Sequence, residues 1–511
     1  MKKITIYGLF SLFVAMLFLT SCFEDKGNYD YSPIGEALVT IPGVTDNKDR
    51  FVSEQYAVLD LKPEIKYEAG TSEADFEFQW LKYPQTNTPD KDGYYPAPTV
   101  IATTKNLAYT VVDNPNEFWM VLKVTNRVTK TVTDYRFQFI VTSVNGLIIL
   151  DEAADGSGDL HILRDAEITL DMPAGKEGVT RNYFSQKNNG TKLLNATSIG
   201  YCPNTNDKAL FVLTPNDIYW ANPGTYTLIP DASYSKLFSV APATTMPQRQ
   251  LYSTQNGGVD VLINDGTIYS IFWRMMGMGR RLYNKQALTA GGDYKVAPIV
   301  APISVANADN VFAMYDKMKH RFITIDKNAK IAAPSSEGKF DTGNMDADLV
   351  LQEMGEGIDG STCALFRKAV AGQNDEVYMF QADFTTSTPA TKEKLDLSSF
   401  DGIQQASAYA FGTRGNFMYY GSGSKVYCYR YSKALPTEFY TVGDGETVTA
   451  LKVYANPDNT DFNGKILFVA TEKAGSGKIY KIKFNEMTGL READAEVYDG
   501  FGTIKDIFYK Q

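Results

Sequence analysis

The side chains able to do chemistry are scattered rather than clustered. Two histidines occur, His161 and His320, too few for an imidazole-built zinc site. Cys202, Cys363 and Cys428 lie far apart without metal-ligand spacing, which reads as buried thiols in strands. Oxygen donors are more plentiful. Asp151 to Asp159 (DEAADGSGD) gathers acids, and Asn459, Asp461, Asn463 and Gly464 follow the spacing that opens a calcium loop. Such a loop needs a bidentate acid eleven positions after its first ligand, where this chain has Ala470. Both stretches therefore read as polar turns, and no metal or cofactor is expected.

Catalytic motifs are missing as well. The chain has no Ser-x-Asp-x-Gly-x-Thr-Trp box, no GxSxG elbow, no HExxH, no P-loop and no periodic tryptophans. The expectation is a non-enzymatic protein. A glycan hydrolase or lyase is the alternative, because the pairing of two carboxylates is three-dimensional and leaves no spacing in the sequence. His320 sits in a basic turn (Lys317-Met318-Lys319-His320-Arg321), and Met275 to Arg281 reads as a loop.

Binding chemistry has more to draw on. Aromatics make up 13% of the chain, with 32 Tyr and 29 Phe. Aromatic faces beside a few polar groups suit sugar rings or peptide side chains. The long loop at 171–191 offers Arg181, Tyr183 and Phe184, and later connections offer Tyr234, Phe238, Phe340 and Asp341. These seven are the candidate ligand-binding residues, placed on connections that a rigid scaffold would present. The net charge of −10 argues against nucleic acid, whose phosphates an acidic surface repels.

The scaffold is legible in a strand–turn–strand unit that recurs seven times after residue 145. Its clearest copy is VDVLIND-G-TIYSIFW from Val259, where Asp265-Gly266 is a hairpin signal because Gly accepts positive φ. The others begin at Gly146, Lys208, Val311, Thr362, Gly415 and Lys465. The copies after the first are spaced about 51 residues apart, a propeller-blade period. The second strand opens with an aliphatic residue and then Tyr219, Tyr269, Tyr378, Tyr427 or Tyr480; His161 and Ile323 fill that slot in the remaining copies. Flanking runs supply the outer strands. One strand, Thr503 to Lys510, is left over while the first copy lacks its innermost strand. The expectation is that the chain end supplies it and closes a seven-bladed β-propeller over residues 145–511, removing an exposed edge pair.

The N-terminal third is organised differently. Lys2 and Lys3 precede an apolar run from Ile4 to Leu19, too short to span a membrane comfortably, so residues 1–21 read as an export signal. Leu19-Thr20-Ser21-Cys22 resembles the bacterial lipobox, which implies cleavage before Cys22 and lipid attachment to its thiol. Residues 22–35 form a polar tether. Residues 36–144 alternate as short strands around one central Trp80, which points to an Ig-like β-sandwich, and the whole chain to an all-β protein.

CFEDKGNYDY, from Cys22 to Tyr31, followed by FEFQWLK, MVLKVTN and YRFQFIVTS, resembles the PKD-like family of Gram-negative lipoproteins. The resemblance implies a PKD/Ig-like sandwich before a repetitive β-rich C-terminal half. It implies a lipid anchor in the outer membrane. Glu24 and Asp25 after the lipidated Cys imply display at the cell surface, with a periplasm-facing tether as the alternative. It further implies work beside a TonB-dependent, starch-utilisation-type transporter and its surface lipoprotein, capturing a glycan, a peptide or a protein partner. A purely structural subunit of that complex is the remaining alternative. The family lends no catalytic residues.

Overall fold

The computed structural model describes residues 37–44, 50–67, 71–85, 91, 96–203, 208–242, 249–253, 258–272, 282–336 and 338–510. The export signal, Cys22, the tether and the Met275 to Arg281 stretch lie outside the described residues. The chain divides into two compact units: Met1–Val44, Asp60–Ala108 and Trp119–Phe137 form one, and Thr45–Leu59, Tyr109–Phe118 and Gln138–Gln511 the other.

The smaller unit is built on Phe76–Pro84, flanked in its sheet by Thr99–Ala102 on one side and Asn116–Asn126 on the other, with Val132–Thr142 beyond. Alternation in Phe76-Glu77-Phe78-Gln79-Trp80 turns every second residue to one face. Trp80 is fully buried, and its indole N–H donates to the Lys105 carbonyl at 3.1 Å, so its polar edge is satisfied. Met120, Leu122 and Phe137 are buried with no exposed surface.

The larger unit holds, among the described residues, seven antiparallel sheets in chain order. Their second strands are Gly146–Glu152, Ala209–Leu213, Val259–Asn264, Asn310–Asp316, Thr362–Lys368, Phe417–Ser422 and Ile466–Lys473. These strands are apolar at consecutive positions because both faces are covered. In the first, Ile148 and Leu150 pack toward the second sheet, and Leu147 and Ile149 toward the seventh. Asp265 and Gly266 both take positive φ (47° and 75°), the two-residue turn that matches strand twist.

The first strands of successive sheets are Ser198–Cys202, Arg249–Ser253, Val296–Pro302, Val350–Glu356, Ala408–Phe411 and Thr447–Val453. Thr503–Lys510 completes this set. It pairs antiparallel with Gly146–Glu152, with Leu147 opposite Tyr509 and Ile149 opposite Ile507. These seven inner strands touch one another in cyclic order, the last meeting both Thr447–Val453 and Ser198–Cys202. The seam between the seventh and first sheets is pinned by buried polar contacts. Tyr454 and Tyr509 hydroxyls both donate to the Ile168 carbonyl, at 2.9 and 2.6 Å. The Lys481 ammonium, almost fully buried, lies 2.8 Å from Asp165 and 2.6 Å from Glu167.

Three local expectations are corrected. The 171–191 loop contains a strand, Gly178–Thr180, and a five-residue helix, Tyr183–Lys187. The second sheet has three strands among the described residues, its outer edge met by the single bridge Ala221–Leu228. The boundary near residue 144 is not one cut. Arg50–Glu54 runs parallel to Gln138–Thr142, and the Arg164 guanidinium binds the Glu54 carboxylate, which draws Thr45–Leu59 into the larger unit.

Candidate functional site

Four inner strands from four different sheets bring ionisable side chains into one neighbourhood. They are Tyr252 from the third sheet, Glu353 from the fifth, Lys452 from the seventh and Asp506 from the C-terminal strand of the first. The Tyr252 phenol feels both Glu353 and Asp506, and both carboxyls feel Lys452. All four are half-buried although they sit on the innermost strands. The Glu353 strand shifts register against its partner between Leu351 and Glu353, a bulge of the kind that re-aims a side chain beside a site.

Each member is held. Asp506 Oδ2 accepts the Ile199 backbone N–H at 2.8 Å. Lys452 Nζ donates to the Ile507 carbonyl at 3.1 Å and lies 5.2 Å from the centre of the Phe508 ring. Tyr201 meets Phe508 edge to face at 6.3 Å. The Tyr252 hydroxyl donates to the Pro298 carbonyl at 3.3 Å, and Glu353 Oε1 accepts from the Met354 N–H at 3.0 Å.

Burial pushes the Glu353 carboxyl up to about 7, against the opposing pull of the Met354 N–H and of Lys452. Burial likewise raises Asp506, partly offset by Lys452 and by backbone N–H groups. Tyr252 is raised by burial first and then by the two acids. Two carboxyls face one ammonium, so the centre carries one unmatched negative charge whenever both acids ionise.

The seven residues singled out on connections lie elsewhere, the five aromatics among them in three different cores. Tyr183 and Phe184 pack between the first and second sheets. Tyr234 and Phe238 pack between the second and third, Phe238 lying 4.9 Å from the Tyr269 ring. Phe340 packs edge-on against Phe380 at 4.9 Å. Arg181 donates to the backbone carbonyls of Asp499 and Gly500, and Asp341 accepts from Ser335 and from the Gly343 N–H. The axial residues went unnoticed because a lone acid in an apolar strand has no motif. The one trace is polar interruption of inner strands, as in VLQEMGE and TIKDIFYK.

The oxygen-rich turns use their donors internally. The Asn459 amide donates to the Glu167 carbonyl at 2.7 Å, and Asn463 Oδ1 accepts from the Asn456 N–H at 3.0 Å. Asp155 holds Ser157, and Lys192 lies 2.8 Å from Asp159. His161 Nε2 is 3.0 Å from Asp151, while its Nδ1 accepts from the Asn182 N–H at 3.3 Å. Tyr219 and Tyr480 in the equivalent slot act similarly, their hydroxyls accepting from Leu194 and Gly443 N–H groups at 3.1 Å. Cys202, Cys363 and Cys428 are free and buried.

Residues 22–196 match the PKD-like family. Among solved structures, the chain is similar to a quinonprotein alcohol dehydrogenase-like protein from Bacteroides thetaiotaomicron VPI-5482. Identity is 15%, coverage 93% of this chain and 99% of that chain, and the TM-score 0.43. It is also similar to the Nup133 beta-propeller domain of Vanderwaltozyma polyspora, at 10% identity over 61% of this chain and 93% of that one, with a TM-score of 0.34. At these values neither likeness transfers a residue role. A search of curated proteins found no match.

Proposed function

We propose that this chain is a lipid-anchored binding protein of the Gram-negative outer membrane. An Ig/PKD-like sandwich would hold a seven-bladed β-propeller off the membrane, and the propeller would take a glycan or peptide ligand, or a protein partner, beside a TonB-dependent transporter and its surface lipoprotein. The observation that supports binding is that Tyr252, Glu353, Lys452 and Asp506, on the inner strands of four sheets, act on one another electrostatically. A polar cluster lined by aromatic rings is the ordinary makeup of a small-ligand site.

The paired acids also favour a second reading, a glycan hydrolase. Such an enzyme separates its two carboxyls, one raised to act as acid and one kept ionised. Here burial raises both, whereas that division of labour asks for the two to be pushed apart, which favours binding. Incubating the full-length lipidated chain with glycan and peptide arrays, then analysing products by mass spectrometry, separates the two. Binding without products supports the proposal, whereas released oligosaccharide overturns it. The anchor has its own test. Cys22→Ala should move the protein from the membrane to the soluble fraction, since a multi-chain lipid on that thiol would hold it stably. A variant that stays with the membrane contradicts lipidation.

A further inference from the structure

Lys510, at the end of the closing strand, is fully buried although its side chain ends in an amine. Its Nζ donates to the Val144 carbonyl at 2.6 Å and lies 3.5 Å from Asn145 Oδ1. The rings of Tyr226 and Tyr201 stand 5.3 and 5.6 Å away, and the Tyr226 hydroxyl donates to the same Val144 carbonyl at 3.3 Å. Among the described residues no carboxylate pairs with this amine; Glu54, the acid it feels, is bound by Arg164. Burial penalises the charged form of a lysine that has no anion beside it. Arg164 and Lys208 add to that, Glu54 opposes it, and the amine is pushed down to about 7. Near neutral pH much of it is therefore uncharged, which is the nucleophilic form.

Its neighbour is prepared as the electrophile. Ser143 Oγ donates to Asn145 Oδ1 at 2.7 Å, which draws electrons toward that oxygen and leaves Cγ open to attack. The ladder fixes the approach, since Gly146, the residue after Asn145, lies opposite Lys510. Two reactants held side by side in this way gain a high effective concentration.

We propose that Lys510 and Asn145 join their side chains in an amide bond. Nζ attacks Cγ, so the Nζ–Cγ bond forms as the Cγ–Nδ2 bond breaks. One Nζ proton passes to the departing nitrogen, which leaves as ammonia. Nothing is oxidised or reduced, and no co-reactant enters. The bond ties the residue that precedes Gly146–Glu152 to the end of the strand paired with it, so it locks that pairing covalently. It stands independently of what the protein binds.

Peptide mapping of the full-length chain by mass spectrometry tests this. A digest should contain a branched peptide that joins the Asn145 and Lys510 fragments and is one ammonia lighter than their sum. In freshly purified protein the linked fraction should grow about tenfold faster at pH 8 than at pH 6, because the uncharged amine reacts. Lys510→Arg and Asn145→Ala should each give linear peptides only. Ser143→Ala, which keeps both reacting groups, should slow the linkage. Linear Asn145 and Lys510 peptides alone, from folded parent protein held at pH 8, would overturn the proposal. A branch on Lys510 that persists in Asn145→Ala would overturn it too. The parent chain decides the matter even where a variant fails to fold.

Discussion

At the scale of single residues, Glu353 carries a stability signature. Its carboxyl is raised from 4.5 to about 7, chiefly by burial. The folded chain therefore holds that proton more tightly than the unfolded chain does. The stabilising contribution is complete below pH 4.5 and is lost as pH rises through 7. Glu353→Gln should accordingly gain stability relative to the parent at pH 8 but not at pH 4, by about 1–3 kcal/mol. Denaturant melts at the two pH values measure this, and equal differences at both would contradict the assignment. Lys510 slopes the other way. Burial, with Arg164 and Lys208 nearby, pushes its amine down to about 7, so its share of stability grows as pH rises from 7 toward 10.5. Trp80 and the three thiols were legible from residue type and spacing, because apolar volume flanked by alternation has one natural place. Glu353 and Asp506 were not, since their meaning depends on which strands share an axis.

At the scale of elements, the hairpins were legible because turn chemistry is local. Gly266 takes φ of 75°, and a Cβ there would lie 2.4 Å from the Lys295 side chain and 3.1 Å from the Val296 carbonyl. Gly266→Ala should cost about 1–3 kcal/mol, read as a lower melting point with unchanged secondary structure. No loss would mean the turn relaxes freely. Arg50–Glu54 escaped the sequence because its partner is parallel and far along the chain, so no hairpin signal marks it. The helix Tyr183–Lys187 escaped because one turn is too short for a periodicity, and its two aromatics are set by packing against Tyr226 and Tyr219. The Lys481 cluster at the seam was equally invisible. Lys481→Ala leaves Asp165 buried without that cation, while half-buried Glu167 keeps Lys483, and should destabilise by about 3–5 kcal/mol. Lys481→Met, which fills the same volume, should lose as much; recovery with Met would assign the cost to packing instead of charge.

At the scale of the whole molecule, the account depends on the chain end returning to its beginning. The repeat period leads to an expectation of seven sheets, and a surplus strand at one end with a deficit at the other leads to an expectation of their joining; Thr503–Lys510 pairs antiparallel with Gly146–Glu152. The sequence could not announce that Thr45–Leu59 belongs with the larger unit, since Arg164 and Glu54 lie far apart along the chain. Deleting residues 503–511 should expose the inner edge of Gly146–Glu152 and yield aggregated or oligomeric protein, by size-exclusion chromatography. A monomeric truncation with unchanged melting would contradict closure. The most direct measurement joins the ends covalently. Glu152 and Thr503 face each other in the ladder at partly exposed positions, so the double variant Glu152→Cys/Thr503→Cys places two thiols across one rung. Mild oxidation should convert nearly every molecule to a reducible, compact, monomeric form that melts higher, because the bond closes a very long loop, worth about 5 kcal/mol at most. Thiols that stay free in the folded monomer, or that pair only between molecules, would contradict a ring closed by its own C-terminal strand.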